Sequence, residues 1–168
     1  MRKEEFIFPE NTVEMYKVLN ERLSALVSDE EKVIPNLANA ASLLAAALEQ
    51  INWAGFYLLS SGELVLGPFM GNPACIRIPV GKGVCGVAAE NNEAQIVDDV
   101  KSFPGYISCD DSTRSEIVLP IHYRGTVVAV LDIDSPVFHR FGKNDLEGLT
   151  RFVEILEDAC DWAAFKVL

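Results

Sequence analysis

The residues of this chain best able to do chemistry are four cysteines, Cys75, Cys85, Cys109 and Cys160, and three carboxylates in its apolar second half, Glu116, Asp132 and Asp134. A thiol becomes a nucleophile or a redox centre only as the thiolate, so each cysteine is judged by what surrounds it in sequence. Cys160 falls in step with the apolar positions of a terminal helical pattern and reads as a small buried hydrophobe. The other three lie in turns and loops within 35 residues of one another, where packing explains them less well. No C-x-x-C pair occurs among them, so zinc-ligand spacing is absent and no metal is expected.

Cys85 sits in Gly81-Lys82-Gly83-Val84-Cys85-Gly86, a literal G-x-G-x-x-G that follows a short strand and opens a helix. A dinucleotide site needs a parallel βαβ unit around that pattern, whereas the flanking sequence reads as hairpins, which favours turn glycines. The first turn of a helix would still favour a Cys85 thiolate through its free N–H groups and dipole. Cys109 is followed by Asp110 and Asp111, which oppose ionisation, and by Arg114, which favours it. Local electrostatics alone therefore prefers Cys85 as the nucleophile.

Asp132 and Asp134 are two apart on a strand and project to one face, within reach of Glu116 on the neighbouring strand. The arrangement is either a solvated strand end or a pocket for an ammonium group with a proton source for a reacting oxygen. Trp53, Gly55 and Tyr57 share a strand face in the same way, and an aromatic wall beside carboxylates suits a cationic ligand with an apolar tail, although core packing accounts for Trp53 equally well. His122 and His139 show no Cys–His pairing pattern and read as structural or surface residues.

These side chains must be carried by a definite set of elements. Tyr16, Leu19, Leu23 and Leu26 step by three and four, which predicts a helix over 11–27. Ile34, Leu37, Ala41, Leu44 and Leu48 predict a second helix, with Ser28 and Glu31 as a capping box and Pro35 near its first turns. From position 51 the pattern changes to short runs rich in Val, Ile, Phe and Tyr broken by Gly and Pro, predicting strands over 52–59, 64–70 and 76–80. A short helix over 84–91, a brief strand over 95–97 and a long loop over 98–115 follow, and long loops in compact domains are often functional. The runs 116–123 and 126–133 predict a hairpin turning at Arg124-Gly125 in the middle of the sheet. Leu146, Leu149, Val153, Leu156, Cys160, Ala163 and Val167 then predict a terminal helix with a narrow seam. Helices at both ends of a run of hairpins indicate an α+β domain, an antiparallel sheet with helices on one face.

The whole chain of 168 residues reads as one domain, with residues 1–30 as a helical extension packing on it. Its 25 Asp+Glu against 14 Lys+Arg give a formal charge of −11, which argues against nucleic-acid and anionic-membrane partners. The first residues lack the apolar stretch of a secretory signal and no apolar run approaches the roughly 20 residues of a membrane span, so a cytoplasmic protein with reduced thiols is expected.

Taken together, Asn52-Trp53-Ala54-Gly55-Phe56-Tyr57, Leu66-Gly67-Pro68-Phe69, Gly81-Lys82-Gly83-Val84-Cys85-Gly86, Glu116-Ile117-Val118-Leu119-Pro120 and Leu131-Asp132-Ile133-Asp134-Ser135 resemble the free methionine-(R)-sulfoxide reductases, enzymes of the GAF fold. The resemblance runs from about position 13 to 161. It implies a six-stranded antiparallel sheet, a homodimer, and reduction of free L-methionine-(R)-sulfoxide but not of the peptide-bound form. It also implies that Cys109 attacks, that Cys75 resolves the sulfenic acid to a disulfide, and that Cys85 assists. By the same resemblance Glu116, Asp132 and Asp134 bind substrate and polarise the sulfoxide, while Trp53, with Tyr57 beside it on the strand, faces the substrate methyl. Thioredoxin is the implied reductant, with no metal or organic cofactor. On the choice of nucleophile the resemblance overrides the electrostatic preference for Cys85. The competing class is a non-catalytic GAF module that senses a small ligand or an oxidant through the same pocket.

Overall fold

The computed structural model describes residues 7–165. Helix α1 (Thr12–Val27) starts at Asn11, whose side chain accepts a hydrogen bond from the Glu14 N–H at 3.1 Å; it buries Tyr16, Leu19 and Leu23 as the spacing requires, but Leu26, the fourth member of the stripe, is exposed and Val27 is buried instead. Helix α2 (Val33–Ala47) begins later than the proposed capping box allows. Ser28 instead closes α1, its hydroxyl donating to the Ala25 carbonyl, and α2 has no side-chain cap. That later start puts Val33 in the core, leaves Ile34 exposed and sets Pro35 in the first turn, where its missing N–H costs nothing.

Six strands follow: β1 (Trp53–Ser60), β2 (Glu63–Gly71), β3 (Arg77–Pro79), β4 (Gln95–Val97), β5 (Ser115–Tyr123) and β6 (Thr126–Ser135). They form one antiparallel sheet in the order β3-β2-β1-β6-β5-β4. The β5–β6 hairpin turns at Arg124-Gly125, both with positive φ, as a type I′ connection demands. The middle of the sheet belongs to β1 and β6, with β5 lying between β6 and the short strand β4.

Helix α3 (Gly83–Asn91) lies between β3 and β4 in the chain, and α4 (Lys143–Ala159) follows the sheet. Contrary to the expectation of helices on one face, the sheet is covered on both. Ala54, Phe56, Leu58, Ile117, Leu119, Ile121, Ala129, Leu131 and Ile133 join a core with α1, α2 and α4. Trp53, Tyr57, Val118 and Val130 point the other way and pack with Val84, Cys85 and Ala88 of α3. The central strands are therefore apolar on both sides, which hides the two-residue alternation in their sequence.

Helix α4 is shorter than its apolar stepping implies. Cys160 is its C-cap, the Trp162 indole N–H donates to the Leu156 carbonyl, and the Asp161 N–H donates to the Glu31 carbonyl, so the chain turns away and Ala163 leaves the helix. Val167, the last predicted seam position, lies outside the described residues. Helix α1 packs on α4: the Tyr16 ring covers Gly148 and its hydroxyl donates to Asp145 at 2.8 Å. No helix among the described residues is long and apolar enough to cross a membrane.

Candidate active site

Strand register brings the three carboxylates together. Across β1, β6 and β5, Trp53 pairs with Asp134 and Asp134 with Glu116, while Gly55 pairs with Asp132 one step along the same face. Two-residue periodicity then sets Trp53, Tyr57, Glu116, Asp132 and Asp134 on the α3 side of the sheet. Gly55 lies under the aromatic wall, where an added Cβ would fall 2.3 Å from the Phe69 Cβ and 2.7 Å from the Trp53 ring. With no side chain between them, Trp53 stacks on Tyr57 and on Phe69, at centroid distances of 5.9 and 5.3 Å.

The aromatic wall also holds the cysteine-bearing loops. The Trp53 indole N–H donates to the Asn72 carbonyl at 3.2 Å and the Tyr57 hydroxyl to the Cys75 carbonyl at 2.9 Å. From the other side, the long loop between β4 and β5 is tied by Asn72 to Asp110 and by Asn52 to Ser112 and Thr113. Cys75 and Cys109, one on each loop, form a disulfide with Cα atoms 5.4 Å apart. Cys85 and Cys160 are buried free thiols. Arg114 donates to the Asp111 and Thr113 carbonyls, which fixes the loop backbone.

Beside Cys109 lies a cavity of about 30 Å³ whose lining includes Trp53, Tyr57, Cys85, Tyr106, Glu116, Asp132 and Asp134. That volume accommodates one or two waters. A far larger hollow, about 770 Å³ beside the α1–α2 turn, is wide open, contains none of the cysteines, and is lined by Asp29, Glu30, Glu31 and Asp158 among others. Volume alone would favour that hollow; the convergence of thiols and buried carboxylates favours the small one.

Burial sets the protonation of this cluster. Desolvation first, then the charges of Asp132 and Asp134, holds the Glu116 carboxyl well above the usual carboxylate range. Desolvation raises Asp132 to about 6, against hydrogen bonds from Cys85 and Glu116 that favour its charge. Asp134 is pushed up by burial and by the neighbouring Asp132 charge. The electrostatic preference for Cys85 is overturned here. Although it stands in the first turn of α3, burial and the adjacent Asp132 and Glu116 charges push its thiol far up, away from the thiolate a nucleophile requires. Chain neighbours revealed the helix terminus but not the carboxylates delivered by β5 and β6.

The glycine motif is structural. Gly81 and Gly83 have positive φ, and a Cβ on Gly86 would lie 2.4 Å from the Pro79 carbonyl oxygen. His122 bonds Glu157 and Asn92, and His139 pairs with Asp98, all away from the cysteines. Tyr106 and Ile107 line the site but were missed in the sequence; an apolar pair inside an otherwise polar loop was the available signal. Asn72 was missed as well, and nothing in its surroundings marks it.

Fold and site define a GAF-type module with a disulfide over buried carboxylates, and the match to known proteins agrees. Residues 36–161 match the GAF domain family. A free methionine-R-sulfoxide reductase of Escherichia coli is 50% identical over 156 residues, covering 93% of this chain and 94% of its own. Protein YtsP of Bacillus subtilis is 52% identical over 146 residues, covering 86% and 90%. The structure of fRMsr of Staphylococcus aureus in complex with substrate superposes with a TM-score of 0.83 at 47% identity, covering 86% of this chain and 94% of that one. The chain belongs to the free methionine-R-sulfoxide reductase family, oxidoreductases that act on sulfur.

Proposed function

We propose that this protein reduces free L-methionine-(R)-sulfoxide to L-methionine with Cys109 as the attacking thiolate. The observation that carries the reading is that Cys109, bridged to Cys75, lines the same pocket as Trp53, Glu116, Asp132 and Asp134. A sulfoxide sulfur becomes electrophilic when its oxygen is protonated or hydrogen-bonded. A carboxylic acid kept neutral by burial, Glu116 or Asp134, is suited to supply that proton. Cys109 takes the oxygen as a sulfenic acid and releases methionine. The Cys75 thiol then displaces water from the sulfenic acid to form the disulfide, which stops oxidation before the irreversible sulfinic stage. A cytosolic dithiol, thioredoxin, returns both sulfurs to thiols by exchange.

Binding and chemistry divide the pocket between them. The substrate's ammonium group offers the charge that Asp132 and its neighbours lack in the buried cluster, while Trp53 and Tyr57 face the methylthio end. A substrate held by its own ammonium and enclosed this closely is a free amino acid, because a peptide has no such charge at an internal residue. Cys85 lines the same pocket and assists without attacking first. The whole chain acting as one GAF domain with α1 as its extension, a homodimer, a cytoplasmic location and the absence of any prosthetic group complete the proposal on family resemblance.

The test is NADPH consumption coupled to thioredoxin and its reductase. Free R epimer, free S epimer and a peptide-bound sulfoxide are offered in parallel. Turnover of the free R epimer alone is expected. No turnover with any of them refutes the proposal in favour of a ligand or thiol sensor.

A further inference from the structure

Cys85, Glu116 and Asp132 bring one thiol sulfur and two carboxylate oxygens within 4.8 Å of one another, and all three residues are at least nine-tenths buried. They come from three elements, α3, β5 and β6, so no local spacing announces the group. The Cys85 Sγ is 4.0 Å from the Glu116 Oε1. A second observation points to a cation: the Asp132 Oδ1 is buried in the pocket with no hydrogen-bond partner among the described residues. A buried carboxylate oxygen left without a donor is costly unless something positive meets it. The Cys75–Cys109 disulfide leaves the Cys85 sulfur free.

We propose that Cys85, Glu116 and Asp132 form a site for a borderline divalent cation, Zn²⁺, at the floor of the pocket. The donor set selects the ion. One thiolate and two carboxylates suit zinc, whereas calcium and magnesium take six or more oxygens. Zinc bonds of about 2.3 Å to sulfur and about 2.1 Å to oxygen put tetrahedral ligand atoms about 3.5 Å apart, so these atoms, within 4.8 Å of one another, draw in by up to about 1.3 Å on binding. Three protein ligands leave the fourth position open to the cavity, whose roughly 30 Å³ holds the ion and a water even with the disulfide closed. Binding releases the Cys85 proton and any carried by Glu116 and Asp132, with no electron transfer, so affinity rises with pH. The expectation of no metal considered cysteine spacing alone; strand pairing supplies the missing ligands. Resting on the proposed function, one further clause follows: the ion and the substrate ammonium claim the same oxygens and exclude each other.

The disulfide form of the protein, free of added reductant, is titrated with Cd²⁺ and followed by the ultraviolet thiolate-to-cadmium band. Only Cys85 and Cys160 are free there. One equivalent of Cd²⁺ is expected to give the band and Zn²⁺ to bleach it. Cys85→Ala should abolish it, Cys160→Ala should preserve it, and Asp132→Asn should weaken binding about ten-fold or more. No band in the parent protein, or an unchanged band in Cys85→Ala, overturns the site. If Cys85→Ala does not fold, unchanged affinity in Asp132→Asn overturns it instead. For the shared floor, Cd²⁺ bound to a Cys75→Ser/Cys109→Ser variant is titrated with L-methionine. Displacement supports mutual exclusion and its absence overturns that clause, while the turnover assay decides the reductase reading separately.

Discussion

The two faces of the sheet are built from the same strands yet do opposite things. Along β6, Leu131 and Ile133 enter an apolar core under α1, α2 and α4, while Asp132 and Asp134, one residue away each, face α3 and the disulfide. The first face gains free energy by removing hydrocarbon from water. The second buries carboxylates at a cost, which the proposed cationic substrate would offset. Stability and function are thus separated by the pleat of a strand rather than by distance.

Substitutions on each face break or sharpen this contrast. The largest effect belongs to Cys109→Ser, which removes the nucleophile and should cut turnover of the free R epimer by at least ~10³-fold with little change in melting temperature in reductant. Persistent turnover would hand the chemistry to another thiol. On the dry face, Leu131→Ala opens a cavity at a fully buried position and should cost about 2–5 kcal/mol in denaturant unfolding. At temperatures where it stays folded, its KM should stay near the parent value, and a large KM change would mean that the faces are not independent.

Gly55 lies on the α3 face, under the aromatic wall. Gly55→Ala has to displace Phe69 or the Trp53 ring and should cost about 1–3 kcal/mol while raising KM, because Trp53 moves with it. An unchanged KM would remove Trp53 from substrate contact. The smallest effect is expected at the sheet edge, where Glu63 and Arg77 pair at 3.1 Å with both side chains largely exposed. Glu63→Gln should shift stability by under about 1 kcal/mol and leave turnover alone.

How much of this was legible in the sequence followed from how local the cause was. The Arg124-Gly125 turn depends on a few neighbouring residues and was readable; the Asn11 cap is as local, although the predicted helix over 11–27 makes Asn11 its first residue rather than its cap. The carboxylate row was readable because a two-residue period carries over from sequence to sheet. The side on which α3 packs was not, since the central strands are apolar on both faces and carry no polar alternation to orient it. The end of α4 was misjudged because it is fixed by the Asp161 N–H donating to Glu31, a residue 130 positions away in the chain. Cys85 failed for the same reason: its helix terminus is local, but the acidic groups that suppress its thiolate arrive from β5 and β6.

Asp132→Asn, measured for stability and activity in one preparation, tests the central claim most directly. Its carboxyl is raised from 3.8 to about 6 by folding, so the folded state holds its proton more tightly than the unfolded state does. Stability from this group is therefore greatest below about pH 4, falls as pH rises toward 6, and stays lowered above it. The account predicts that Asp132→Asn melts higher than the parent at pH 7, that this advantage shrinks toward pH 4, and that kcat/KM for the free R epimer drops about 100-fold or more as a charge-assisted bond is lost. A variant that melts lower at pH 7 and still turns over normally would contradict it.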